Sequence, residues 1–292
     1  VPLFSPVGEN PSGPAGSGLV SAYMETECPS AQSAILLAAF GSRLPDASAA
    51  LERMRERASA EYPGYRVETA LTSGTVRRHK ANAGNPEDSP EVVLRRLLAE
   101  GVRRLAVQSL HVIPGDEFRN LERAAHALRG EGGFERIEVG RPLLGNADDI
   151  RQVARALLTV LPGGREPDEA VLLMGHGTRG RANGVYADLA LELKRLDPHV
   201  LIGALEAEPG LAAKVAELRA LSVSRVHLMP LLFARGVHAT RDMAGSGGGS
   251  WKTGLSRAGF ECEAYLKGAG EHGALADIWL EHLREAVLKL TD

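Results

Sequence analysis

Three side chains in the second half of the sequence occupy positions where α/β proteins carry out chemistry. His176 follows the apolar run VLLM within VLLMGHGTRG (Val171–Gly180) and stands between two glycines. Glu206 ends the segment VLIGALEAEPG (Val200–Gly210), and His238 lies in the loop after HLMPLLF. Ligands of parallel α/β sheets bind beyond the carboxyl ends of the strands. Two imidazoles and a carboxylate gathered there form an open site for a divalent first-row metal, with positions left for water or a substrate. Each residue alone has a plainer reading: His176 as a tight-turn residue, Glu206 as a helix cap, His238 as a loop residue. Their common placement at strand ends favours one shared site. His111, in QSLHVIPG, stands at a strand end of the first half and faces the same cleft. His227 reads as structural, and His79, His126, His199, His272 and His282 as surface, helix or loop positions.

The elements that must position these groups follow from hydrophobic periodicity. AILLAAFGS (Ala34–Ser42), RVETALTS (Arg66–Ser73), RRLAVQSLHVIPG (Arg103–Gly115) and FERIEVGRPLL (Phe134–Leu144) are short apolar runs of buried-strand type. Between them, Ala47–Tyr62, Ser89–Gly101 and Glu117–Glu131 read as helices, and Asp148–Leu161 leaves this half as another. The segment Ser89–Gly101 carries a Ser cap, a Pro at its first position and a closing Gly. The second half repeats the alternation. Strands are expected at Ala170–Thr178, Val200–Gly210, from Arg225 and at Phe260–Gly268. Helices are expected at Gly184–Asp197, Leu211–Val223 and Leu275–Leu290. Strands alternating with helices give parallel sheets covered on both faces.

The halves can be overlaid. AILLAAFGS falls on AVLLMGHGT, TALTS on GALEA, and RRLAVQSLHVIPGDE on SRVHLMPLLFARGVH. The chain therefore reads as two similar α/β domains of ordinary size, residues 33–147 and 148–292, with the metal site in the second. Phe40, Thr72 and Glu117 occupy the first-half positions of His176, Glu206 and His238. The scaffold repeats and the ligand set does not, so one metal site per chain is expected, beside an interdomain cleft of the kind ligands favour.

Composition narrows the function. A net charge of -3 with 24% charged residues is not that of a nucleic-acid-binding chain, and 4% aromatics is too few for a base-stacking surface. No apolar run approaches the ~20 residues that span a bilayer. Cys28 and Cys262 lie in no metal-binding or redox spacing and read as unpaired thiols of a reducing compartment. Residues 1–32 are rich in Pro, Gly and Ser, lack periodicity and read as a flexible segment outside the fold. They show no basic start followed by an apolar core. The cytoplasm is the expected compartment, with the periplasm kept open by that detached segment; self-association is also left open.

The motifs FGS, TS, VQSLHVIPGDEF, MGHGT and HATRDMAG followed by SWK together resemble those of the anaerobic sirohydrochlorin cobaltochelatases. These belong to the class II chelatases, which include ferrochelatase, and the resemblance spans roughly residues 33–290. It implies two flavodoxin-like α/β domains with parallel sheets and an active site between them. It implies metal ligands at His176, Glu206 and His238, with His176 also the base that accepts macrocycle N–H protons. It implies insertion of Co(II), as the bound substrate metal, into sirohydrochlorin on the oxygen-independent route to cobalamin. The sequence departs from the family in reading ALEAEPG after the Glu206 strand and in its Gly-rich AGSGGGS before SWK. Some periplasmic relatives carry haem and form tetramers; no haem-ligand motif is matched here, and haem is left open.

Metallation exchanges two N–H protons for one divalent ion. A weak three-ligand site suits this, because four tight ligands would make a structural site. Imidazole suits the base role, its unperturbed pKa of about 6.5 lying near working pH. Sirohydrochlorin is rimmed by carboxylates, and Arg43, Arg235 and Arg241 beside the strand ends are candidate partners. Ser42, Ser109 and His111 are candidates to hydrogen-bond the macrocycle. Two alternatives stand beside this reading: insertion of Fe(II) for sirohaem or haem, and a non-catalytic metal or tetrapyrrole carrier on the same scaffold.

Overall fold

Strands buried on both faces need apolar residues at every position, and this is how the expected runs fold. In the first half the chain forms β1 (Ser33–Ala39), α1 (Ser48–Glu61), β2 (Arg66–Leu71), α2 (Gly74–Asn82), α3 (Pro90–Ala99), β3 (Arg104–Ser109), α4 (Asp116–His126), β4 (Arg136–Gly140) and α5 (Ala147–Leu158). The second half forms β5 (Glu169–Gly175), α6 (Gly184–Leu196), β6 (Val200–Ala204), α7 (Leu211–Ala220), β7 (Arg225–Pro230), α8 (Trp251–Arg257), β8 (Glu261–Ala264) and α9 (Gly273–Leu288). The structure is a computed structural model that describes residues 32–44, 48–130, 132–178 and 180–291. The segment expected to be flexible lies outside the described residues, except Gln32. The Gln32 carbonyl accepts from the N–H groups of Arg103 and Arg104 at 2.8 and 3.0 Å.

Two four-stranded parallel sheets result, ordered β2-β1-β3-β4 and β6-β5-β7-β8. The strand orders correspond one to one, which is the duplication expected from the overlay. In both sheets the first strand of the half lies between its two neighbours, so its tip is central. β1 and β5 are buried at all seven positions. Alternate residues explain why. Ile35, Leu37 and Ala39 face a core shared with Val171 and Leu173 of β5, whereas Ala34, Leu36 and Ala38 face a separate core beneath α3 and α4. Leu172 and Met174 face a third core with residues of α7 and α8.

The shared core takes its helices from the junction and from the end of the chain. α5 follows the first sheet in sequence yet packs against α6, while α9 ends the second half and packs against β3 and β4. Trp279 of α9 is fully buried there. Helix periodicity predicts α9 but does not say which sheet it covers. His282 falls on a helix, as expected, and its side chain is turned inward. His282 is 2% exposed, with Nε2 3.1 Å from Asp149 and Nδ1 3.1 Å from the Arg141 carbonyl. Arg141 in turn pairs with Asp149 and Glu285. α2 and α8 were not expected. Ser73 and Ser250 cap them through bonds to Val76 N and Thr253 N at 3.3 and 3.1 Å, and each is too short and polar to show an apolar stripe. No helix among the described residues is long and apolar enough to cross a membrane.

Candidate active site

Two glycines flank His176 because neighbouring groups crowd the tip of β5. A Cβ on Gly175 would lie 2.6 Å from the Tyr186 ring, so only glycine lets α6 pack beneath the tip. Gly177 has φ +84°, a left-handed conformation, and its Cβ would meet Ala207 at 3.1 Å. The Tyr186 phenol is hydrogen-bonded by the backbone of Gly177 and His176, and burial pushes its pKa up to about 12. His176 is thereby turned sharply out of the strand into a cleft between the sheets.

The tips of β5 and β6 are adjacent. The His176 carbonyl accepts from Glu206 N at 2.9 Å. β6 closes at Ala204, earlier than the sequence suggested, so Glu206 stands in the loop beyond the strand. Its carboxylate is 56% exposed and lies 4.0 Å from His176 Nδ1. His238 begins a π-helical turn, His238–Met243, anchored by buried Ala239 and Met243. Its Nε2 lies 3.2 Å from His176 Nε2, with the rings nearly perpendicular at 87°.

Of the three expected ligands, then, two meet and the third stands aside at the other nitrogen of His176. Among the described residues no cluster of three or more His, Cys, Asp or Glu side chains has the geometry to hold a metal ion. The two facing nitrogens do have suitable spacing. Two imidazoles on one first-row ion, each at roughly 2.1 Å, are separated by little more than 3 Å.

Hydrogen-bond partners fix the proton positions. His238 Nδ1 lies 2.7 Å from Asp242 Oδ2, and His176 Nδ1 lies 3.0 Å from the Gly177 carbonyl. Both partners accept, so each Nδ1 is placed to carry its hydrogen; a cation between the rings would then meet both Nε2 lone pairs, and without one the 3.2 Å contact is a hydrogen bond donated by one Nε2. Two lone pairs aimed at one point form a slot for a cation. Asp242 was not among the residues singled out from sequence, although its i,i+4 spacing from His238 is a readable signal. Burial raises the pKa of its carboxyl, but hydrogen bonds from Arg241 and His238 outweigh this and hold it below the ordinary value. Arg241, expected to meet substrate carboxylates, binds Asp242 Oδ1 through Nε at 2.8 Å.

The opposite wall comes from the first half. The cleft measures about 970 Å³, and Phe40, Ser42, Arg43, His111, His176 and His238 line it. Phe40, the counterpart of His176, faces it with ring centroids 6.2 Å apart. Ser42 lies across from Gly236, where an added Cβ would come 3.4 Å from its hydroxyl. The loops of the two halves meet there. Ser109 is fully buried and holds the His111 ring from behind, with Oγ 2.8 Å from Nδ1. Thr72 Oγ1 holds the other ring nitrogen at 3.1 Å. Burial pushes the His111 pKa down to about 4, which keeps its ring neutral. Ser109 thus does not line the cleft itself and meets it through the His111 ring. Leu110, Val112, Ile113 and Phe233 make much of the remaining wall apolar, as suits a large flat ligand.

Paired parallel sheets around such a cleft define the class II chelatase fold. The sirohydrochlorin chelatase SirB from Bacillus subtilis subspecies spizizenii, solved in complex with cobalt, superposes with a TM-score of 0.56 at 16% identity, covering 88% of this chain and 96% of that one. Sequence carries the assignment further. Residues 33–288 match the family model described as Cobalt chelatase (CbiK), and the chain belongs to that family. It is 42% identical to a sirohydrochlorin cobaltochelatase, CbiKC, of Nitratidesulfovibrio vulgaris, covering 96% of this chain and 99% of the relative. It is 34% identical to the sirohydrochlorin cobaltochelatase of Salmonella typhimurium, covering 87% and 96% respectively.

Proposed function

We infer that this protein is a sirohydrochlorin cobaltochelatase, inserting Co(II) into sirohydrochlorin with release of two protons, on the anaerobic route to cobalamin. The family and the named relatives support the reaction. The observation that carries the site is the facing pair of His176 and His238 Nε2 atoms, 3.2 Å apart at the mouth of an apolar cleft. Co(II) enters as a substrate, held by these nitrogens, with Glu206 turning from His176 Nδ1 to complete the set. The macrocycle lies in the cleft with its carboxylates toward Arg43 and the hydroxyl of Ser42. As the metal moves to the ring nitrogens, His176 Nε2 becomes available and accepts the two displaced N–H protons in succession, passing each to solvent. A weak site is required, because an ion bound by four strong ligands would not be surrendered. The donor set itself does not separate Co(II) from Fe(II).

The test is anaerobic. Purified protein, sirohydrochlorin and Co(II) are mixed and the shift in macrocycle absorption is followed, with His176→Ala and a protein-free control alongside. Catalysed metallation is expected, with a loss of about 10²–10⁴-fold in the variant. A rate equal to that without protein would overturn the assignment for this metal and substrate. Repeating the assay with Fe(II) tests sirohaem-type insertion, and binding of macrocycle without turnover of either metal identifies a carrier.

A further inference from the structure

We propose that Asp242 is a positioning residue of the metal site, fixing the tautomer and direction of His238. The proposal rests on the reading that His238 binds the incoming metal. A free imidazole carries its single hydrogen on either nitrogen, and only one tautomer presents Nε2 as a lone pair. The Asp242 carboxylate, 2.7 Å from His238 Nδ1, accepts the Nδ1 hydrogen and selects that tautomer. The carboxylate is itself held, since Arg241 Nε donates to its other oxygen at 2.8 Å.

The local backbone is built for this contact. Residues 238–243 form a π-helical turn, with the i→i+5 bond from Ala244 N to the Ala239 carbonyl at 3.2 Å. Such turns are rare and concentrate at functional sites. The same turn sends Ala239 and Met243 into the core, so His238 and Asp242 are fixed on its other side. Among the described residues His176 has no equivalent carboxylate at hydrogen-bond distance; its Nδ1 is served by the Gly177 carbonyl at 3.0 Å, with Glu206 at 4.0 Å. The two imidazoles are therefore oriented by different means, one by backbone and one by an ionised side chain. A carboxylate behind a metal-binding histidine raises its basicity and locks its ring, and its loss costs about 10–100-fold in metal affinity.

The experiment uses the full chain and Co(II) alone. Nitrogen-15 and proton correlation spectra of metal-free protein, assigned with His238→Ala, report which His238 nitrogen is protonated. The Nδ1–H form is expected in wild type, and a predominantly Nε2–H form would overturn the proposal even if Asp242→Ala failed to fold. Co(II) titration by calorimetry is then compared across variants. Asp242→Ala should lose about 10–100-fold in affinity and populate the Nε2–H tautomer. Asp242→Asn, whose amide oxygen still accepts the Nδ1 hydrogen, should recover most of the affinity. Equal affinity in wild type and Asp242→Ala, with His238→Ala strongly weakened, would reject the role of Asp242 alone. Unchanged affinity in His238→Ala would instead reject the metal-site reading beneath it.

Discussion

The indole N–H of Trp279 donates to the backbone carbonyl of His111 at 3.2 Å, tying the last helix of the chain to the cleft wall made by the first half. The same ring packs edge-on against Phe233 of the second half, with centroids 5.4 Å apart. One buried side chain therefore touches lining residues from both sides of the cleft. Trp279→Phe retains a ring and removes this bond, while the carbonyl keeps its bond from Leu143 N at 2.9 Å, and should cost about 0.5–1.5 kcal/mol. Trp279→Ala should cost about 3–5 kcal/mol. Urea unfolding measures both, and an unchanged midpoint for Trp279→Phe would show that the hydrogen bond contributes nothing.

His111 makes stability depend on pH in a defined direction. Its pKa is about 4 in the folded protein, against 6.5 for the unperturbed group. Between those values the unfolded chain binds more protons, so this contribution to stability is complete above about pH 6.5 and declines as pH falls toward 4. The difference amounts to at most about 3 kcal/mol. His111→Gln removes it. The stability lost between pH 7 and pH 4.5, measured by urea unfolding, should be smaller in the variant than in wild type. Equal losses would refute the claim.

Gly175→Ala places a methyl against the Tyr186 ring. Overpacking of this kind costs about 1–3 kcal/mol. It should also displace His176, and a shift of about 1 Å in a reacting group costs on the order of 100-fold in rate. Paired with Tyr186→Leu, which opens space beneath the strand tip, the substitution should regain part of both losses. Thermal melting and metallation rate follow the two effects separately.

Glu206→Gln keeps the size of the side chain and removes its charge. If Glu206 completes the site around incoming Co(II), the apparent KM for metal should rise about 10–100-fold, while the rate at saturating Co(II) approaches that of wild type. A lowered saturating rate with unchanged KM would assign Glu206 to proton transfer rather than to metal capture.

Much of this was legible in the sequence because buried parallel strands leave a simple trace. Runs such as AILLAA and AVLLM are apolar at every position, and their register in the overlay carried His176, Glu206 and His238 to neighbouring strand tips. Glycines on both sides of His176 marked a sharp turn. What stayed hidden depends on tertiary contacts. α2 has one buried residue, Val76, so TVRRHKAN shows no apolar stripe. Periodicity located α9 but could not assign it to the first sheet. His282 read only as a helix or loop position, because its partners, Asp149 and the Arg141 carbonyl, are remote in sequence. Ser109 was placed at a strand end correctly, yet its exposure depended on the ring of His111 in front of it.

The crossing of α5 and α9 has a mechanical consequence. The first lobe is strapped by α9, the last helix of the chain, while α5 at the junction packs against both α6 and α9, so the lobes are buckled together rather than threaded like beads on a string. A protease nick in the connection between α5 and β5 would leave the two fragments clasped. Pulling the ends of the chain apart would peel α9 from the first sheet, remove Trp279 from beneath His111, and breach the core that both lobes share in one event. A jaw built this way is held at more than its one covalent connection.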